Sequence, residues 1–253
     1  MTKYIIFTMI GLVFVLGGLY LLSNKKTKPI TQINNTLDEK TLPTPVIKKF
    51  RYVSIGDSLT IGQGVRENDR YPNLLIKQLQ ESGIEIELIA NPAVSGYTVQ
   101  NAIDYELPVI ISERPNFVTV AIGANDNFRR LDKEIYRQRL TELLDGILVY
   151  LPNKKNLVLL TIYDYSRSPQ AKSINSTKEN EDQYSKSIQE YNDVIKQEAD
   201  KRGLKVADVF PISQQIGNDP TMFVGDGLHP SAKQYQLWVK EIYPVVYDLL
   251  KSK

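Results

Sequence analysis

Five short runs rich in Val, Ile, Leu and Phe recur along the chain from Phe50 onward: Phe50–Ile55, leading into Gly56, then Glu85–Ala90, Phe117–Ile122, Leu157–Ile162 and Lys205–Phe210. Each has the length and β-branched content of a strand. Stretches with helical spacing of their apolar residues follow them, at about Tyr71–Ser82, Val99–Ser112, Asp132–Tyr150, Glu181–Arg202 and Ser231–Leu250. Ser231, after Pro230, is a good N-cap, and Gly83 and Gly203 are plausible helix stops. Strand and helix alternating in this way predict an α/β fold, a parallel sheet with helices on both faces. Right-handed crossovers restrict its topology, and ligands of such sheets bind at the carboxyl ends of the strands. Residues 163–180 form a long polar excursion between a strand and a helix, of the kind that is often functional or mobile.

The first fifty residues have another texture. Tyr4 to Leu22 is apolar or small throughout and uncharged. As a helix rising ~1.5 Å per residue, this run spans ~28 Å, close to a ~30 Å hydrocarbon core. Lys3 precedes it, and Lys25, Lys26 and Lys28 follow it. Residues 1–23 are therefore expected to be a membrane anchor or signal segment. The run exceeds the ~7–15 apolar residues of a cleaved signal, and no Ala-x-Ala-like site follows, which favours an uncleaved anchor. The flanking lysines alone would put the following domain in the cytoplasm. A short tail, one apolar helix and a large domain is the layout of a signal-anchor, so the expectation is a domain on the extracellular side, with secretion after cleavage as the alternative. Residues 24–49 are polar, include Pro29, Pro43 and Pro45, and read as a tether. Residues 50–253 form the domain, long enough to bury a full core.

Composition removes several kinds of chemistry. No cysteine is present, which excludes disulfides, thiolate nucleophiles and cysteine-based zinc sites. His229 is the only histidine, so imidazole chemistry must use it. A formal net charge of +2 at pH 7 gives no electrostatic case for nucleic-acid binding.

Four segments carry candidate chemistry, each modest alone. The first strand runs into Gly56-Asp57-Ser58-Leu59-Thr60, where a serine just past a buried strand can present its hydroxyl at the sheet edge or simply cap a turn. After the second strand, Gly96 offers an unobstructed N–H, although it also reads as an ordinary loop glycine. The third strand ends in Gly123-Ala124-Asn125-Asp126; the Asn125 amide can donate to a developing oxyanion, or serve a turn. Asp226-Gly227-Leu228-His229-Pro230 places a carboxylate three residues before the imidazole, where it can hold one ring nitrogen and leave the other free as a base. All four fall at carboxyl ends of strands or in loops on that edge. Together they supply a nucleophile, a base, an orienting acid and oxyanion donors, the set that acyl transfer requires.

These segments, Gly56-Asp57-Ser58-Leu59, Gly96, Gly123-Ala124-Asn125-Asp126 and Asp226-Gly227-Leu228-His229, resemble the four blocks of the SGNH/GDSL hydrolase family, in order and across the domain. The resemblance implies a flavodoxin-like, three-layer α/β/α sandwich around a five-stranded parallel sheet in the order 2-1-3-4-5. It implies Ser58 as nucleophile, His229 as base and Asp226 as its partner. It also implies an oxyanion hole of the Ser58 and Gly96 N–H groups and the Asn125 amide. This chemistry calls for no cofactor and no metal. Ala93 stands where many members have glycine, a departure that leaves Gly96 in place.

The implied activity is a serine esterase or lipase acting on carboxylic esters, lipid or short acyl. Deacetylation of a cell-surface polysaccharide, or a non-catalytic membrane-tethered binding module, are the alternatives. The intact Ser58, Asn125, Asp226 and His229 set argues against the module. A metal hydrolase built on Asp57, Asp126 and Asp226 is a weaker reading. The α/β-hydrolase pattern G-x-S-x-G is broken by Thr60, and its serine would not lie on the first strand. Tyr97, Phe128, Tyr163, Tyr165 and Phe223 fall near the site, as a binding surface or as packing.

Overall fold

The structure, a computed structural model, describes residues 49–174, 177–216 and 219–251. The expected anchor at residues 1–23, and the expected tether except Lys49, lie outside the described residues. Strands β1 (Phe50–Gly56), β2 (Ile86–Ala90), β3 (Phe117–Ala121), β4 (Leu157–Leu160) and β5 (Lys205–Ala207) pair in parallel, in the order β2-β1-β3-β4-β5. The parallel α/β sheet and its order are as expected. Every residue of β3 and β4 is buried, because helices cover both faces.

The helices are α1 (Ser58–Ile61), α2 (Tyr71–Glu81), α3 (Val99–Asn101), α4 (Leu107–Glu113), α5 (Ala124–Phe128), α6 (Lys133–Tyr150), α7 (Pro169–Ile174), α8 (Lys178–Lys201), α9 (Phe210–Ile216) and α10 (Ala232–Leu250). α2 packs on α10, with Tyr71 against Trp238 at 6.5 Å between ring centres. α4, α6 and α8 pack in sequence as the second layer. Chain direction across the sheet reverses after β2, so right-handed crossovers put the two layers on opposite faces. Ser231 caps α10 by accepting from the Gln234 N–H, as expected.

Side chains end the strands earlier than sequence suggests. The Thr161 hydroxyl accepts from the N–H groups of Val209 and Phe210 and donates to Asp208. Asn192 pairs with both backbone groups of Ile162. The chain therefore leaves the ladder at Thr161 and Asp208, and Phe210, expected to end a strand, opens α9 instead. The polar excursion after β4 is likewise built rather than loose. The buried Asp164 carboxylate gathers the Ser166 N–H and the hydroxyls of Ser166 and Ser185, and α7 follows.

The helix expected at Val99–Ser112 is interrupted: Ala102–Glu106, between α3 and α4, is π-helical. Pro108 supplies the reason, since it has no N–H and its ring crowds the carbonyl four residues back. Widening one turn lets the helix pass it. Glu106 ends that turn on the inward face, with Val99, Ala102 and Ile110, where it is fully buried and accepts from the Gly56 N–H at 2.8 Å. Burial pushes its carboxyl up to about 8; the Gly56 N–H opposes the shift and nearby Asp57 adds to it.

A carboxyl held above its unfolded value stabilises the fold fully below the unfolded value, near 4.5, and that contribution is lost as pH rises to about 8. Glu106→Gln keeps an acceptor and does not titrate. Its melting temperature relative to the native chain should therefore rise between pH 5 and pH 8, by a stability difference on the order of a few kcal/mol. Thermal melts of both proteins across that range test this; a difference independent of pH would refute it.

Candidate active site

β1 delivers the chain to Ser58 through a tight turn. Asp57 caps α1 by accepting from the Leu59 N–H at 3.0 Å, which fixes the turn just before the serine. Ser58 is thereby the first residue of α1, its side chain at the carboxyl edge of the sheet and only 8% exposed. His229 arrives from the far end of the chain. Asp226 organises that loop locally: one carboxylate oxygen accepts from the N–H groups of Leu228 and His229, at 2.8 and 2.9 Å. Its other oxygen lies 2.6 Å from His229 Nδ1. Burial acts to raise the Asp226 carboxyl, but the Leu228 and His229 hydrogen bonds outweigh it and hold it below its ordinary value.

The loop is braced from outside as well. Tyr163 donates to the Leu228 carbonyl at 2.6 Å, Val224 N–H donates to the His229 carbonyl at 2.9 Å, and Phe223 bridges Pro230. With Nδ1 turned to the carboxylate, His229 Nε2 lies 2.9 Å from Ser58 Oγ. Carboxylate, imidazole and hydroxyl thus form one continuous hydrogen-bonded line, in which Nδ1–H donates to Asp226 and Nε2 accepts from the serine.

Gly96 and Asn125 stand beside this line. Gly123 begins the second segment at φ 125°, where a Cβ would lie 2.5 Å from the Tyr136 hydroxyl, so glycine is required. The turn sends α5 to the same edge as Ser58. α5 and the residue that follows it then hold the Gly96 loop and the start of α3 in three places: Asn125 Nδ2 donates to the Tyr97 carbonyl at 2.9 Å, Asp126 accepts from Val99 N–H, and Arg129 donates to the Gly96 carbonyl. The Asn125 amide also reaches Asp57 Oδ2, at a longer 3.3 Å. Behind Ser58, burial raises the Asp57 carboxyl to about 7 and that of Asp126 to about 6.

Ser58, Gly96, Asn125 and His229 all open onto one cavity of about 290 Å³. Its walls are mostly apolar: Leu59, Phe128, Ile174 and Leu228, with the rings of Tyr163, Tyr165 and Tyr184. Phe128 and Ile174 lie at its rim, 59% and 69% exposed. Of the aromatic residues singled out in the sequence, Phe128, Tyr163 and Tyr165 line this cavity. Tyr97 contributes its carbonyl and packs on Tyr105, and Phe223 belongs to the core. Ile174, Ala171 and Tyr184 were not expected; they come from α7 and α8, on and beyond the polar excursion. The apolar Ala171 and Ile174 within that polar stretch were the available signal.

Asp57, Asp126 and Asp226 do not converge. Asp226 faces His229 while Asp57 and Asp126 are buried behind the serine, and among the described residues no three His, Asp or Glu groups are placed to share a cation. The carboxylate-metal reading has no site here.

A family model for the GDSL-like lipase/acylhydrolase family matches residues 54–237. An arylesterase of Vibrio mimicus is 26% identical over 199 residues, covering 78% of this chain and 86% of that protein. Among solved structures, a family 3 carbohydrate esterase of Clostridium thermocellum superposes with a TM-score of 0.64 at 22% identity, over 81% of this chain and 98% of that one. A lipase/acylhydrolase of Enterococcus faecalis gives 0.63 at 20% identity, over 81% and 98%. The family match spans most of the domain and takes in Ser58, Gly96, Asn125, Asp226 and His229. This chain belongs to the GDSL-like lipase/acylhydrolase family and is a carboxylic ester hydrolase.

Proposed function

We propose that Ser58 is the nucleophile of a serine esterase, with His229 as its base and Asp226 as the group that orients and charges the imidazole. The observation that carries this reading is the line from Asp226 through His229 to Ser58, at 2.6 and 2.9 Å, opening on the cavity. Nε2 takes the hydroxyl proton as Ser58 Oγ bonds to the ester carbonyl carbon. The carbonyl oxygen takes the negative charge and is met by the N–H groups of Ser58 and Gly96 and the Asn125 amide. The imidazolium returns its proton to the leaving alcohol, leaving an acyl-serine. Water, activated by the same nitrogen, then releases the acid and restores the enzyme.

The cavity bears on substrate. Apolar walls beside the nucleophile favour an ester whose acyl or aryl part is larger than acetyl, since burying apolar surface stabilises binding at ~25 cal/mol per Å². We place the substrate among lipid or other acyl esters of that kind, with O-acetylated glycan as the competing class. We further propose that residues 1–23 anchor the domain to the outer face of a membrane. That proposal rests on the length of the uncharged run Tyr4–Leu22 and, for the outer face, on the signal-anchor layout of a short tail, one apolar segment and a large domain, against the orientation that the flanking lysines alone would give.

Ser58→Ala should abolish hydrolysis and fluorophosphonate labelling while leaving the thermal melt intact; residual native-like turnover would reject Ser58 as nucleophile. Asn125→Ala should lower kcat by about 10²–10³-fold, as loss of an oxyanion donor does elsewhere, and an unchanged kcat would remove it from the hole. On p-nitrophenyl esters of increasing length, kcat/KM should climb at least about tenfold from acetate to hexanoate. Phe128→Ser should shrink that climb. Faster turnover of acetylated glycan than of any longer ester would reverse the substrate assignment.

A further inference from the structure

Among the described residues, no strand lies beside β1 on its β2 side beyond Val53. β2 ends at Ala90, which pairs with Val53, and Ser54, Ile55 and Gly56 have partners only on β3. These are the residues that lead into Ser58. The position of the nucleophile is thus set by a strand end that the sheet grips on one side alone.

Gly56 is closely packed as well. A Cβ there would lie 2.0 Å from Thr60 Oγ1 and 2.6 Å from the Ala121 carbonyl, so its backbone sits directly against both. Its N–H finds its acceptor in Glu106 Oε2 at 2.8 Å. Glu106 ends the π-helical turn Ala102–Glu106 and shares the inward face with Val99, Ala102 and Ile110, a buried place for a residue type that ordinarily faces water. Its second oxygen, buried, has no hydrogen-bond partner among the described residues, so the contact to Gly56 is the one hydrogen bond that a fully buried acid makes here. Burial favours the uncharged carboxyl, whose carbonyl oxygen suits an N–H donor.

We propose that Glu106 is a positioning residue for the nucleophile: it stands in for the missing strand partner at Gly56 and fixes the turn that aims Ser58 at His229. The inference rests on Ser58 being the nucleophile. It adds that aim is set from behind β1, by an acceptor that touches neither substrate nor reacting atoms. What Glu106 supplies is one acceptor oxygen at the right depth. Gln can supply the same oxygen, Met fills the space without one, and Asp keeps the carboxyl one methylene short.

The test is kcat, KM and fluorophosphonate labelling rate for Glu106→Gln, Glu106→Met and Glu106→Asp, measured well below each melting temperature. Leu79→Ala, a buried change on α2 away from the site, serves as a control for destabilisation alone. Gln should hold kcat within about threefold of the native chain. Met and Asp should lose about 10–100-fold in kcat and in labelling rate with KM little changed, the scale of a sub-ångström to ångström misplacement. Leu79→Ala should keep its kcat despite a lower melting temperature. If Met does not fold, Asp carries the test. Native-like kcat in Met or Asp would overturn the proposal, as would a Gln variant as impaired as they are. Ser58→Ala separates the two levels: full activity there defeats the nucleophile assignment itself, whereas an inactive Ser58→Ala beside a fully active Glu106→Met defeats only the role of Glu106.

Discussion

The hydrogen bond between Ser58 and His229 joins residues 171 positions apart, and neither segment can hold its end of it alone. A parallel sheet resolves this, because every strand delivers its carboxyl end to one edge. β1 brings Ser58 there, β3 brings Asn125, and the loop before α10 brings His229. Each side chain is then fixed locally by short contacts: Asp57 on the Ser58 turn, Asp226 on the imidazole, Tyr163 and Val224 on the histidine loop. Long-range topology sets the neighbourhood and local hydrogen bonds set the angles, which is how a site of this kind holds its geometry on rigid elements.

Much of this was legible in the sequence. Strands covered on both faces must be apolar almost without interruption, so Phe117–Ala121 and Leu157–Leu160 announce themselves. The site segments were legible because turns at strand ends demand Gly, Asp and Pro, and because a single histidine leaves no choice of imidazole. The ends of β4 and β5 were not, since Thr161 and Asn192 terminate them through partners 30 to 49 residues away. Nor were the cavity walls from α7, which emerge from a stretch whose polarity reads as solvent-facing. Glu106 shows the limit most sharply. Its spacing from Val99, Ala102 and Ile110 puts it on their buried face, but a glutamate reads as surface charge, and its role as acceptor for Gly56, 50 residues away, has no signature in the sequence.

The ionisable groups around Ser58 divide into two populations. Asp226 is held below its ordinary value by the hydrogen bonds it accepts, so it stays charged where it can stabilise an imidazolium. Asp57, Asp126 and Glu106 are buried behind the serine and pushed up, to about 7, 6 and 8. Three ionised carboxylates there would repel an oxyanion forming beside them. Desolvation holds back the ionisation of Glu106 and, in part, of Asp57, and the three side chains accept from Gly56, Leu59 and Val99.

Asn125 is where these two demands meet. One amide hydrogen is committed to the Tyr97 carbonyl at 2.9 Å, which locks the side chain to the Gly96 loop. The other points to Asp57 at 3.3 Å, long enough that the contact is weak. An oxyanion must take that second hydrogen from Asp57 to be stabilised by this residue. A fully charged carboxylate at this place would be a strong rival for it. By keeping Asp57 buried and its carboxyl up near 7, the fold weakens the rival while retaining it as the cap that shapes the serine turn. The donor is therefore anchored by one hydrogen and lightly held by the other, and little reorganisation separates the resting site from one in which an oxyanion accepts that hydrogen.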